Sequence, residues 1–367
     1  MVARLRRATK ASGNTLYCVS RIFLYCMKTK KKVVVIGGGT GTYSVLSGLK
    51  AYSDEVSITA IMAMSDNGSS SGRLRDEFGA LPVGDVRMAL LALSDDTRID
   101  NASLRSLFSY RYVKGGEGLN GHNFGNLLLV ALGEILGSQH SAIEMVSRLL
   151  NIKGVVLPVT TDSISLIATY DDGLRVVGES SIDEPSEDRG SHTIIDLTVE
   201  PRGVLASGVR EALLEADYII LGPGDLYTSL LAAVVVGDLA QVIVQSKGTF
   251  IYIANLMSKF GQTTGYDTAT YISEIKKYVG RVPDYIFINT HPLPEELIAK
   301  YAVAYEYPVH DAENMGNDTV CVKGDFISTE EVRTAKGNTI RRSLIRHDAE
   351  KISSALRALW LENTPKV

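Results

Sequence analysis

"KVVVIGGGTGTYSVLSGLKAY", Lys32 to Tyr52, decides the fold. Four apolar residues in a row, bounded by glycines, read as a buried strand. The run "GGGTGT" (Gly37–Thr42) then reads as a tight turn, and "YSVLSGLKAY" as a helix. A second strand follows in "VSITAIMAMSD", Val56 to Asp66. Strand, glycine turn, helix and strand in about 35 residues is the size of a right-handed parallel crossover. The same pattern recurs in "ADYIILGPGDLYTSLLAAVVV", Ala216 to Val236, and further buried strands are expected at "TFIYIANLMS" and "PDYIFINTH".

Between these units lie four helical patterns: "GDVRMALLALSD" with Asp85 as N-cap, "NASLRSLFSYRY", "GHNFGNLLLVALGEILGS" with Asn123 as cap, and "HSAIEMVSRLLNI". "GVVLPVTTDSISLIATYDDGLRVVGESSI" instead alternates with period two around "DDG", as a hairpin or meander does. "TATYISEIKKYVG" and "DAEKISSALRALW" read as later helices. The expected architecture is an α/β, Rossmann-like fold. It has a mainly parallel sheet flanked by helices and an antiparallel β excursion around residues 155–200. One nucleotide-binding domain is expected over residues 31–360.

Charge is uneven. The first 32 residues carry nine Lys and Arg and no acid, leaving 29 basic against 42 acidic residues in the rest. So acidic a body argues against nucleic acid as partner. No run of eighteen apolar residues indicates a membrane span. Cys18, Cys26 and Cys321 are sparse, odd in number and without metal-ligand spacing, which suits a reducing, cytoplasmic setting. Residues 1–30 read as a basic leader, either disordered or the product of a start placed too early, because "MKTKKKVVVIGGGTG" from Met27 already reads as a complete beginning. A transit peptide is the alternative.

Chemistry is expected at the glycine turns. Gly37, Gly38, Gly39, Thr40, Gly41 and Thr42 offer close backbone approach, unpaired amides and a positive helix end to a phosphate. Gly37 and Gly39 fit the first two positions of G-x-G-x-x-G, but Thr42 stands where the third glycine belongs, so the dinucleotide fingerprint is broken. Asp66 ends the second strand, placed for a ribose hydroxyl or a metal-bound phosphate. Asn67, Gly68, Ser69, Ser70, Ser71 and Arg73 follow, and are read as an ordered anion-binding loop. Two further helix starts, with His122, Asn123 and Asn126 and with Gly224, Asp225, Thr228 and Ser229, would gather with them at one sheet edge. Asn255 at the end of a strand, and Tyr266 as a stacking or hydroxyl group, complete the candidates.

Several long segments together resemble the YvcK family of gluconeogenesis factors, a relative of the CofD 2-phospho-L-lactate transferases. They are "VVVIGGGTGTYSVLSGLK", "SDNGSSSGRLRDEFGALPVGDVRMALLAL", "GHNFGNLLLVAL", "LPVTTDSISLIATYDDG", "ILGPGDLYTSLLAAVVV" and "YIANLMSKFGQTTGY". The likeness covers roughly residues 32 to 330. It implies a nucleotide-type ligand across the strand ends. For the gluconeogenesis factors that ligand is a UDP-amino sugar such as UDP-N-acetylglucosamine, with a role in cell shape and carbon metabolism, and Tyr266 falls on a position tied to it. For the transferases the resemblance implies a deazaflavin substrate and Mg²⁺ near Asp66. Asn67 replaces a second acid the family often has there, which weakens two-point metal binding and favours a regulatory binding protein. An NAD(P)-dependent oxidoreductase is the third reading, against which the broken fingerprint counts. A homo-oligomer stays open.

Overall fold

The computed structural model describes residues 30–95, 99–313, 318–329 and 343–362. The basic leader and two of the cysteines, Cys18 and Cys26, lie outside the described residues.

The first strand, β1 (Lys31–Gly37), is apolar on both faces because both are covered: Val33 to Ile36 are at most 2% exposed. On one side it pairs in parallel with β2 (Val56–Met62), which pairs in parallel with β3 (Val155–Pro158). The chain then leaves the sheet for β4 (Ser165–Tyr170), β5 (Arg175–Val177) and β6 (Ile194–Glu200). These form a separate antiparallel sheet in the order β5-β4-β6. It returns to the other side of β1 as β7 (Tyr218–Leu221), then builds outward through β8 (Thr249–Ile253), β9 (Tyr285–Asn289) and β10 (Val320–Gly324). The main sheet is therefore parallel throughout, in the order β10-β9-β8-β7-β1-β2-β3.

The mainly parallel sheet and the antiparallel excursion of the sequence reading are both present. The excursion proper begins at Ser165, because Val155–Pro158 pairs with β2 rather than with the small sheet. Between β1 and β7 the strand order reverses. Helices leaving these two neighbours open a crevice at the carboxyl end of the sheet. A continuous apolar core runs from Val33 to Trp360, so the terminal helix Ala349–Glu362 is packed into the same body. Among the described residues no single helix is long and apolar enough to cross a membrane.

Two local expectations change. "SSSGRLRDEF", read as an ordered loop, is a helix, Ser69–Phe78. The Asp66 carboxylate accepts the Gly68 N–H at 2.9 Å and closes the turn before it, and Gly79, in a left-handed conformation, donates to the Arg75 carbonyl and ends it. Asp85 is not an N-cap. It lies in the first turn of the helix Gly84–Leu93, with Val83 at the cap, and its carboxylate is used elsewhere. The helices Leu239–Gln245 and Glu295–Ala302 and the strand β10 were not anticipated; each is short.

Candidate functional site

β1 ends in the turn Gly37–Gly38, and the helix Gly39–Leu49 starts at once. Gly39 has φ +65, a conformation glycine adopts without strain. Its N–H donates to the Asp85 carboxylate at 2.9 Å, so one first-turn amide is already satisfied. Those of Thr40 and Gly41 have no intrahelical carbonyl within reach. β7 ends in the matching turn Gly222–Asp225, followed by the helical segment Leu226–Val234. The two turns touch through their main chains. A methyl group on Gly41 would meet the Pro223 carbonyl, with its carbon 2.7 Å away and the Gly224 nitrogen at 3.1 Å. Asn255, just beyond β8, fixes the second turn by donating from Nδ2 to the Gly224 carbonyl at 2.7 Å.

Above these turns opens a cleft of about 1640 Å³. That is more than the roughly 300–1,000 Å³ a drug-sized ligand needs, and leaves room for a nucleotide with an attached group. Its lining includes Gly38, Gly39, Thr40, Gly41, Asn123, Gly224, Asp225, Ser229 and Asn255, so three of the helix starts singled out in the sequence do meet there.

The other candidates stand behind or beside it. Gly37 is the last residue of β1, and Thr42 is fully buried in the helix with no partner for its hydroxyl. His122 is 2% exposed, with Nδ1 3.1 Å from the Ser70 hydroxyl, and burial and then Arg73 hold its pKa below the usual imidazole value. The Ser70 hydroxyl also accepts the Asn123 N–H, so the second and third helix starts are tied together. Asn126 is buried and accepts from Arg87 Nε at 2.8 Å. Arg73 donates to the Asn120 carbonyl, and Asn67 accepts the Ser180 N–H at 2.7 Å. Gly68 caps the helix that Ser69 opens, Ser71 is buried beside Asp66, and the Ser69 side chain lies outside the described residues. Thr228 is buried and donates to Asp183 at 3.2 Å. The Tyr266 hydroxyl pairs with that of Tyr227 at 3.0 Å and its ring packs edge-on to Tyr271, outside the cleft lining.

A group of carboxylates was not legible in the sequence. Asp66, Asp85, Glu179, Asp183 and Asp225 stand near enough to shift one another's ionisation, and two of them, Asp183 and Asp225, line the cleft. Burial, reinforced by Asp66, Asp183, Asp85 and Asp225, raises the Glu179 pKa to about 9, and burial and then Asp66 raise that of Asp85 to about 7. Burial also raises Asp225 and Asp66, each with repulsion from Asp183. Lys259 stands among them, 3.3 Å from Asp183 and 3.9 Å from Asp225, and these acids hold its proton against the effect of burial. Glu179 and Asp183 sit at the end of the meander, in "GESSID", where a sequence reader sees only a polar turn.

These shifts fix a pH dependence. The folded chain binds protons at Glu179 and Asp85 that the unfolded chain, titrating near 4.5 and 3.8, has already released. The stability they bring is complete below about pH 4 and is lost as pH rises through about 7 and 9. In metal-free buffer the melting temperature is expected to fall between pH 5 and pH 9, and Glu179→Gln to flatten that fall. Thermal denaturation across this range checks it; an equally steep fall in the variant contradicts it.

The profile described as "2-phospho-L-lactate transferase CofD" matches residues 33–326. The chain belongs to the CofD family. Among its relatives is the "Gluconeogenesis factor" of Listeria innocua, 39% identical over 336 residues, covering 90% of this chain and 96% of that protein. The protein of the same name from Bacillus subtilis is 35% identical, covering 92% of this chain and all of that one. A crystal structure of a Bacillus halodurans protein described as a member of the upf0052 family superposes with a TM-score of 0.79 at 36% identity, covering 90% of this chain and 99% of that one. The CofD match begins at β1 and ends just after β10, so it takes in both glycine turns and all five carboxylates.

Proposed function

We propose that this chain is a gluconeogenesis factor: a cytoplasmic regulatory protein that binds a sugar nucleotide of the UDP-N-acetylglucosamine type and acts on carbon metabolism and cell shape. One observation carries the reading. The two glycine turns at the strand-order reversal are in main-chain contact, so the amide ends of two helices open into one cleft. Two such ends suit the two phosphates of a nucleoside diphosphate sugar. Arg87, Arg105, Arg111 and Lys259 line the same cleft and supply positive charge to it. The names of the relatives support the regulatory reading, which needs no general base.

The carboxylates favour a second reading, a transferase acting on a deazaflavin with Mg²⁺. Their oxygens are the donors Mg²⁺ takes, although among the described residues only Asp171, Asp172 and His192 bring three ligand atoms within 4.8 Å of one another. Mg²⁺ is usually held by one or two carboxylates together with phosphate oxygens, and Asp66 beside Asp85 and Glu179 offers that arrangement. The ion would supply charge to offset the diphosphate.

Thermal shift separates the readings. UDP-N-acetylglucosamine, NAD and a deazaflavin are each added to purified protein with and without Mg²⁺. The sugar nucleotide at a hundred times its Kd is expected to stabilise by about 2.7 kcal/mol, a rise of several degrees. Stabilisation by the deazaflavin alone, dependent on Mg²⁺, replaces this reading with the transferase, and stabilisation by NAD alone replaces it with a dinucleotide site.

A further inference from the structure

One residue on the cleft wall holds a strained backbone and an exposed aromatic ring. Tyr305 has φ +58, and among the described residues only Asn151 also has a positive φ without being glycine. Asparagine takes that conformation readily, whereas for a tyrosine it is a genuine outlier. Glycine would make the same turn after the helix Glu295–Ala302 without strain. Burial does not offset the strain either, since Tyr305 is 58% exposed. Strain of this kind collects where ligands bind, and Tyr305 lines the cleft.

Its ring does not stand alone. The centroid lies 5.4 Å from that of Phe260, with the two planes 34° apart, and Phe260 lines the cleft as well. The rings are carried on chain segments bonded to each other. Met257 and Pro308 form an antiparallel bridge, the Ser258 N–H donates to the Tyr307 carbonyl at 2.7 Å, and the Tyr307 N–H donates to the Ser258 hydroxyl at 2.9 Å. The Tyr305 N–H donates to the Ala302 carbonyl at 3.0 Å. A side chain on Gly190 would run into the Phe260 ring, so the main chain lies directly against that ring. Phe260 therefore cannot retreat, and Tyr305 rests on a firm support while more than half of it stays uncovered.

The pair stands beside the second glycine turn. Phe260 follows Lys259, whose Nζ lies 3.9 Å from Asp225 at the end of that turn. In a nucleotide one ribose separates the base from the phosphates, so a base whose phosphates sit at the turns has this pair as a neighbour. A flat heteroaromatic ring is the group that an exposed aromatic surface holds best.

We propose that Tyr305, backed by Phe260, is the stacking platform for the nucleobase of the ligand. The inference rests on the sugar-nucleotide reading above. It gives the cleft a direction, with the base toward Phe260 and Tyr305 and the sugar on the opposite side of the diphosphate. Stacking selects for a flat ring and is indifferent to its hydrogen-bonding edge, so the choice among bases falls to other groups.

Calorimetric titration of UDP-N-acetylglucosamine and of UDP tests it, with wild type, Tyr305→Gly and Tyr305→Phe, each variant's melting temperature being recorded. Glycine removes the ring together with the strain; phenylalanine keeps the ring and loses only the hydroxyl. Tyr305→Gly is expected to bind both nucleotides about tenfold more weakly while melting no lower than wild type, and Tyr305→Phe to bind as wild type does. A ring that only filled the wall would do the reverse, its removal lowering the melting temperature and leaving affinity for UDP unchanged. Tyr305→Gly binding as wild type, or Tyr305→Phe losing as much as Tyr305→Gly, overturns the proposal and leaves the diphosphate site in place. A loss confined to UDP-N-acetylglucosamine puts the sugar on the ring and overturns the assignment to the base. A wild type that binds neither nucleotide removes the diphosphate reading and this inference with it. Should Tyr305→Gly fail to fold, Tyr305→Asn, which also takes the left-handed conformation, is read in its place by the same outcomes.

Discussion

Gly41→Ala lowers the stability of the protein by about 2–3 kcal/mol and removes its affinity for sugar nucleotides. The methyl group has nowhere to go. It would press on the Pro223 carbonyl and the Gly224 nitrogen, which are main-chain atoms and cannot swing aside as a side chain can. The two turns must part, and overpacking of this kind costs about 1–3 kcal/mol. Parting them also spoils the convergence of helix ends on which phosphate binding depends. Gly79→Ala is the control. That glycine has φ +63 and open space around the added atom, so the substitution brings backbone strain of about 1 kcal/mol and no wedge. Urea denaturation and calorimetric titration of both variants give the comparison. Equal losses of stability, or Gly41→Ala binding as wild type does, contradict the account of the turns.

Lys259→Met is expected to destabilise by about 3 kcal/mol at pH 8. Lys259 is 21% exposed and lies between Asp183 and Asp225, with Glu306 also near enough to hold its proton. Removing it leaves half-buried carboxylates facing one another without a cation, and breaking such a pair costs about 3–5 kcal/mol when it is fully buried. The penalty shrinks as pH falls. Burial already holds the Asp225 pKa above its ordinary value, so this acid is among the first to take up a proton when its cation is gone. Denaturation midpoints at pH 5 and pH 8 test this. A loss that is the same at both, or larger at pH 5, contradicts it. Added Mg²⁺ is expected to restore part of the loss in the variant if the acids hold a cation.

The sheet was legible because its signals are local. "KVVVIGGG" and "YIILGPG" each join a fully apolar run to a glycine turn, and that pairing allows few structures besides a covered parallel strand feeding a helix. The gathering of helix starts was legible for the same reason, since a parallel fold carries every such turn to one edge. The helix Ser69–Phe78 was hidden by three serines and a glycine, residues that favour turns when nothing packs on them. Its stop signal at Gly79 stood in plain view. The carboxylates were hidden more deeply. Asp85 in a helix start reads as a cap, and Glu179 and Asp183 read as a solvated turn. Only the packing of the meander against the parallel sheet brings the three together with Asp66 and Asp225.

The most direct test is a crystal structure of the protein with UDP-N-acetylglucosamine. The two phosphates are expected between the turns Gly38–Gly41 and Pro223–Asp225, within hydrogen-bond distance of the Thr40, Gly41 or Gly224 amides. Phosphates seated anywhere else on the molecule, or a cleft that stays empty at saturating ligand, would contradict it.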